Sequence, residues 1–386
     1  MQPCSAYYLP HDRVPRLHLF FMDAFPLALS ALLAFLTYLG LNMMGFLSWG
    51  NHFQVEGRTV ILTGSSYGMG REIAKLLSQR GASVVLVARN ADKLQAAMEY
   101  ARAAAKSPST QRFLCISADL TSEAENARML AEATAWNHGA TPEIVWANAG
   151  TSTPGLFVEL QTETLRKQMD INYWAAAYLA HLTLKAWLYP DTPYKEAQGK
   201  PELPRHFIAT ASVLGYVNVT GYAAYAPAKA ALKSLCDGLR HEVNLYNGAR
   251  RSQTSITGQA PAPFDVVIQS IFPATIKSPG LEQENRTKHA ATKALEEMDP
   301  QQTELEAATA AVHALEAGRY STATNWLGKL MRLSSLGSAH RDNPILDTLG
   351  MWLVSIIWLF LGPDMEGKVW TWGKKNGMPK RNMNAI

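Results

Sequence analysis

Residues 59–77 constrain the fold most. The run Thr59-Val-Ile-Leu-Thr63 passes through Gly64, Gly68 and Gly70 straight into Arg71-Glu-Ile-Ala-Lys-Leu-Leu77. The first segment has the β-branched, apolar character of a strand covered on both faces, and the last has the periodicity of an amphipathic helix. Glycine at these three positions lets the turn close tightly and lets an anion approach the backbone. There the first N–H groups of the helix carry a partial positive charge. Strand, glycine turn and helix in this order make a site for a dinucleotide pyrophosphate.

The pattern continues. Strand-like runs at 83–88, 115–120, 144–148, 206–212 and 265–272 alternate with helical stretches. Such alternation predicts a parallel sheet with right-handed crossovers, with ligands bound at the carboxyl ends of the strands. Gly64, Asn148 and Ser212 all fall at such ends, and Asn148-Ala-Gly150 is a turn of small residues against which a cofactor can lie. Asp119 closes the third strand, where an adenine ring would sit. The expected class is α/β, a Rossmann-type doubly wound parallel sheet.

The second strand ends in Ala88-Arg89-Asn90. A site for NAD usually carries Asp or Glu here, about 20 residues past the glycines, to bond the ribose 2′-hydroxyl. An arginine instead grips the 2′-phosphate of NADP, and Lys93, one helical turn on, adds a second cation. The expected cofactor is therefore NADPH.

Tyr225 and Lys229 stand four residues apart, with Ser212 upstream. On a helix, i and i+4 share a face, so the ammonium lies beside the phenol ring. A nearby cation favours phenolate, and the expectation is a tyrosine whose pKa falls enough for proton transfer near neutral pH. Ser212, arriving from a strand end, can hold a carbonyl oxygen against that phenol. Pro227 between the pair is harmless if it lies in the first helical turn.

Thr63-Gly-x-x-x-Gly-x-Gly70, Asn148-Ala-Gly150, Asn172, Ser212 and Tyr225-x-x-x-Lys229 together resemble the short-chain dehydrogenase/reductase family, over roughly residues 57–290. The resemblance implies hydride transfer between a nicotinamide and a carbonyl or alcohol. It casts Tyr225 as general acid, Lys229 as its partner and ribose ligand, Ser212 as the group orienting the substrate oxygen, and Asn172 as holder of a relay water. It implies cofactor contacts at Gly64, Ser66, Tyr67, Gly68, Gly70, Arg89, Lys93, Asp119, Leu120, Asn148, Tyr225, Lys229 and Ile276. Tyr67 replaces a small residue of the family's turn, and Ala211 replaces the first of a frequent Ser-Ser pair.

Within the family, the stretch 272–288, with its Pro279-Gly280 and Glu284-Asn-Arg-Thr-Lys288, is most similar to the 3-ketodihydrosphingosine (3-dehydrosphinganine) reductases. That likeness implies a long-chain ketobase lipid as substrate, reduced to sphinganine. A steroid, retinoid or 3-ketoacyl substrate is the competing reading. A non-catalytic cofactor-sensing protein is a third, disfavoured because both Tyr225 and Lys229 are present.

A length of 386 residues accommodates one such domain plus appendages, expected as a tail and anchor over 1–50, a reductase domain over 57–325 and a membrane-associated segment with a basic tail over 326–386. A net charge of +4 is too modest for a nucleic-acid partner, and Cys4, Cys115 and Cys236 show neither disulfide nor metal spacing. No metal is expected, and a homodimer is compatible with the pattern.

Residues 24–50 carry no charge, enough to span a bilayer. A signal peptide competes with this reading, but the run is long for one and no clear cleavage site follows. It reads as an uncleaved anchor. Residues 349–361 are uncharged for about thirteen positions and flanked by cations on both sides, which suits a hairpin, an interfacial helix or a span; a core helix is the bland alternative. The expected location is the endoplasmic reticulum membrane with the active site facing the cytosol. Residues 189–204 and 247–263 read as polar loops, and 299–316 as a solvated helix packing on the sheet or the membrane.

Overall fold

The computed structural model describes residues 50–190, 202–251, 261–297 and 299–376. Within them the strands are β1 (Thr59–Thr63), β2 (Ser83–Ala88), β3 (Phe113–Ser117), β4 (Ile144–Ala147), β5 (Arg205–Thr210), β6 (Val266–Phe272), β7 (Ile276–Lys277), β8 (Gln302–Thr303) and β9 (Ser321–Ala323). Seven of them form one sheet in the order β3-β2-β1-β4-β5-β6-β9, and every pairing in it is parallel. β7 and β8 pair apart from it. The order reverses between β1 and β4, so the crevice for a ligand opens at the carboxyl ends of those two strands.

The helices begin with α1 (Gly68–Gln79), α2 (Ala91–Arg102), α3 (Glu123–Trp136), α4 (Thr162–Met169) and α5 (Ala175–Leu188). They continue with α6 (Ala226–Ala249), α7 (Pro279–Thr287), α8 (Ala290–Glu296), α9 (Glu304–Glu316), α10 (Trp326–Ser334) and α11 (Pro344–Asn376). Successive strand residues point to opposite faces, and both faces are covered. Val60, Leu62, Val84 and Leu86 join Ile73, Leu77, Leu94, Val312 and Leu315 from α1, α2 and α9 in one buried cluster. Ile61, Val85, Val87 and Val145 join Met129, Leu179, Trp187, Leu232 and Val243 from α3, α5 and α6 in the other. Each such side chain contributes about 1.5–3 kcal/mol through removal from water. These two layers hold the sheet rigid beneath its carboxyl edge.

Two glycines bring α1 onto that edge. Gly64 has φ +65°, and a Cβ there would lie 2.7 Å from Ala149 Cα. A Cβ at Gly70 would lie 2.1 Å from the Gly64 carbonyl oxygen and 2.8 Å from Asn148 Nδ2. The helix therefore starts in direct backbone contact with the turn it follows.

Several boundaries differ from the sequence reading. The third strand is Phe113–Ser117, so Asp119 lies beyond it, in a turn. The alanine-rich stretch becomes α9, whose Ala307, Ala308, Ala311 and Val312 are fully buried on the sheet. The sequence reading missed β9, three residues long. At the C-terminus the hairpin expectation is not met: α11 is one continuous helix of 33 residues that runs through Pro363. Its residues Pro344–Trp372 are long and apolar enough to cross a membrane, by length and composition. Its first turn is clamped to α10 by the buried ion pair of Arg332 with Asp347, 2.8 Å. The apolar run 24–49, Cys4 and the inner parts of the two expected loops lie outside the described residues.

The contact at Gly70 generates a prediction. Gly70→Ala must move backbone, so it destabilises the chain by about 3 kcal/mol or more and lowers the Tm by roughly 6 °C or more. A melting curve within 2 °C of the parent would contradict this packing.

Candidate active site

Tyr225 immediately precedes α6, and Pro227 sits in its first turn, where the missing N–H costs nothing. The chain enters this helix through a tight turn in which the Tyr225 and Ala226 N–H groups donate to the Tyr222 carbonyl at 2.9 and 2.8 Å. Lys229 follows one turn later, with its Nζ 5.8 Å from the centre of the Tyr225 ring. Its ammonium donates to the Thr210 carbonyl at the end of β5, 3.0 Å away. Ser212, two residues past that strand, caps a short 3₁₀ turn by accepting from Leu214 N at 3.2 Å, and its hydroxyl acts on the Tyr225 phenol. The three groups expected to act together are together, at the carboxyl edge of the sheet.

The electrostatics correct one expectation. Burial pushes the Tyr225 phenol above its ordinary value; the Ser212 hydroxyl pulls it down, and the Glu284 carboxylate pushes it further up. Burial also drops Lys229 to about 7. The presumed depression of the phenol by a full lysine charge is absent because a lysine so deeply desolvated is only partly protonated at neutral pH. The phenol is thus held with its proton on, which suits a proton donor rather than a base.

Asn172 lies in a π-helical turn, Asp170–Trp174, between α4 and α5. Such bulges often mark functional positions, and this one turns the amide inward. Its Nδ2 donates to the carbonyls of Thr151 and Gln168, 2.8 and 3.0 Å, and its Oδ1 accepts from Thr151 N at 3.1 Å. A Cβ on Gly150 would lie 2.8 Å from Asn172 Oδ1 and 3.0 Å from Lys229 Nζ. The two polar groups therefore face one small space that only glycine leaves open.

Cofactor candidates line the same edge. α1 has no side-chain cap at Tyr67 and no acid in its first turn, whereas α2, α3, α9 and α10 are capped by Asn90, Ser122, Thr303 and Asn325. Its open N–H groups, the Gly64 and Gly70 cradle and Ser66 fit a pyrophosphate. Asn148 is locked from both sides: its Nδ2 donates to Gly64 O at 3.3 Å and its Oδ1 accepts from Thr210 Oγ1 at 3.0 Å. Thr210 Oγ1 in turn accepts from Trp146 Nε1 at 2.9 Å, and Thr63 Oγ1 accepts from the N–H groups of Asn148 and Ala149 at 2.9 and 3.0 Å.

Arg89 is exposed at the end of β2, and its guanidinium has no hydrogen bond or ion pair among the described residues. Lys93 Nζ sits 5.8 Å from the Tyr67 ring, which is exposed beside the turn. Asp119 is exposed and accepts from Thr121. The Leu120 side chain is buried in the core, and Ile276 is partly buried against the other cluster. Sequence reasoning missed Thr63 and Thr210, whose roles depend on neighbours far along the chain, and Tyr222 and Glu284, which lie beside Tyr225.

The sequence profile of the short chain dehydrogenase family matches residues 58–288. A 3-ketodihydrosphingosine reductase of Aspergillus fumigatus is 46% identical over 90% of this chain and 93% of its own. One from Neurospora crassa is 42% identical over 87% and 88%, and one from Cryptococcus neoformans is 33% identical over 85% and 88%. Among solved structures, a short chain dehydrogenase/reductase of Burkholderia phymatum in complex with NAD is similar in fold, with TM-score 0.57, 18% identity and coverage of 76% of this chain and 99% of that one. Levodione reductase is similar with TM-score 0.53, at 20% identity over 69% and 95%.

The buried lysine makes a testable claim. Unfolded, Lys229 titrates near 10.5, and folded near 7. Between those values the unfolded chain holds a proton that the folded one lacks, so this residue makes stability rise with pH. Below about 7 the folded state carries the full desolvation penalty. Lys229→Met removes it, so wild type loses stability relative to the variant as pH falls from 9 to 6 in denaturant titrations. A pH-independent difference would contradict the assignment.

Proposed function

The chain belongs to the short-chain dehydrogenase family, and on that premise we propose that it reduces 3-ketodihydrosphingosine to sphinganine with NADPH. The observation that carries this reading is the junction of Ser212, Tyr225 and Lys229 at the carboxyl edge of a doubly wound sheet, in a chain 46% identical to a reductase of that name. When bound, the reduced nicotinamide supplies hydride to the keto carbon.

The protein's own residues handle the proton and the geometry. Tyr225 gives its phenolic proton to the carbonyl oxygen as the C–O bond gains electrons, and burial keeps that proton in place until then. Ser212, beside the phenol, donates to the same oxygen and fixes its position. Lys229, anchored on Thr210, faces the phenolate that forms and can return a proton toward it through the space shared with Asn172.

NADPH rather than NADH is favoured by Arg89, whose guanidinium has no hydrogen bond or ion pair among the described residues, with Lys93 one turn away. A carboxylate at that strand end would repel a 2′-phosphate, and there is none in Ala88-Arg89-Asn90.

Membrane association is part of the proposal. Trp352, Ile356, Leu359, Phe360 and Trp370 are exposed along α11. Between α8 and the far end of this helix lies a cavity of about 500 Å³ whose walls include Ala291, Leu295, Val369 and Trp372. A long alkyl chain gains about 0.8 kcal/mol per buried methylene in lipid, so a lipid-bound enzyme meets its substrate where the substrate is concentrated. The endoplasmic reticulum, with the active site in the cytosol beside its NADPH supply and residues 24–50 as a second anchor, is the location this reading favours.

Oxidation of NADPH in detergent micelles containing 3-ketodihydrosphingosine, followed at the nicotinamide absorbance, tests the proposal. Turnover is expected, with Tyr225→Phe lowering kcat about 100-fold or more. Arg89→Ala is expected to raise the KM for NADPH about 10-fold or more while leaving NADH nearly unchanged. Reduction of steroid, retinoid or 3-ketoacyl substrates without the ketobase would move the reading to another lipid carbonyl. Binding of NADPH without turnover of any carbonyl would overturn an enzymatic role.

A further inference from the structure

The helix that follows β7 places an acid beside the proton donor. α7 is capped by Ser278, which accepts from Leu281 N at 3.3 Å. The partly buried Glu284 on it accepts a hydrogen bond from Tyr222 Oη at 3.4 Å. The Tyr222 ring is 6.2 Å from that of Tyr225, so this carboxylate lies one side chain away from the phenol.

The local charges do not balance. Lys288 is the nearby cation, with its side chain 1% exposed, but it is bonded to Glu296 on α8 at 2.6 Å. Its Nζ lies 5.7 Å from the centre of the Tyr222 ring, on a path that leaves Glu284 without an ion pair among the described residues. Burial raises Glu284 to about 7 despite the pull of Lys288, and Glu296 raises it further. A half-desolvated carboxylate with a phenol as its side-chain hydrogen-bond partner is a costly arrangement unless a cation arrives with the ligand.

The proposed substrate brings one. A ketobase carries an ammonium on the carbon next to the reacting carbonyl, so with the carbonyl oxygen at Tyr225 and Ser212 the ammonium falls within one residue's reach of the phenol. We propose that Glu284, steadied by Tyr222, receives the 2-ammonium of the substrate and is the residue that selects an amino ketone over a plain long-chain ketone. This rests on the functional reading above and deepens it, making Glu284 a specificity residue and Tyr222 a positioning residue. Substrate ammonium neutralises Glu284 on binding, and by the same step it removes the charge that raises the Tyr225 phenol.

The experiment compares kcat/KM for 3-ketodihydrosphingosine with that for 1-hydroxyoctadecan-3-one, which lacks only the amine, in the same micelles. The ratio is measured for wild type, Glu284→Gln and Glu284→Asp. Wild type is expected to favour the amino ketone about 10- to 100-fold, the worth of one hydrogen-bonded charge. Glu284→Gln is expected to collapse the ratio to about 3 or less, and Glu284→Asp to retain part of it because the charge remains. A Gln variant that keeps the wild-type ratio, including one in which both substrates suffer equally, overturns the assignment while leaving the function intact. A wild type that reduces neither ketone overturns the functional reading itself, and this inference falls with it.

Discussion

Thr210 holds the site together. Its carbonyl takes the Lys229 ammonium at 3.0 Å, and its hydroxyl accepts from Trp146 and donates to Asn148, whose amide reaches the Gly64 carbonyl. One residue at the end of β5 thus joins the proton-transfer pair on α6 to the glycine turn that starts α1. Every link in this chain is buried or partly buried, where a lost partner costs the full desolvation of the group left behind. The sheet supplies the rigidity: Thr210 and Trp146 belong to the neighbouring strands β5 and β4, so their spacing is set by ladder hydrogen bonds rather than by loops.

That arrangement changes how the tyrosine is understood. Four-residue spacing puts a lysine beside a phenol, and charge alone says that the phenol should acidify. Burial acts on both groups at once and wins. It lowers the lysine to about 7 and raises the tyrosine, so the resting site keeps its proton on the oxygen that must give it away. For a reductase this is the useful state. Glu284 fits the same logic, since a carboxylate near Tyr225 is unfavourable until a cationic ligand sits between them.

Much of this was legible in the residue order. The glycine turn, the alternating strands and the Tyr225–Lys229 pair are local patterns, and each depends on neighbours within a turn or a strand. Arg89 could be placed because it directly ends a strand. The remainder depends on distance along the chain. Thr210 meets Asn148 and Trp146 from more than 60 positions away, and Tyr222 meets Glu284 across 62. Nothing in a threonine or a glutamate signals such a partner. Leu120, a cofactor contact implied by the family resemblance, has its side chain in the core, so only its backbone is left to face a ligand. At α11 only the hairpin reading failed: the helix continues through Pro363, Asp364, Glu366 and Lys368, past the end of the uncharged run.

The claim on which these points converge is that the cofactor cradle and the proton donor are fixed by one hydrogen-bonded unit. Thr210→Val tests it most directly, because it deletes the hydroxyl while keeping the carbonyl that holds Lys229. The measurement is the NADPH dissociation constant together with kcat for the variant. Both are expected to worsen, each by roughly 10-fold, as Asn148 and Trp146 lose their shared partner. Wild-type values for either one, with the other impaired, would contradict a single coupled unit.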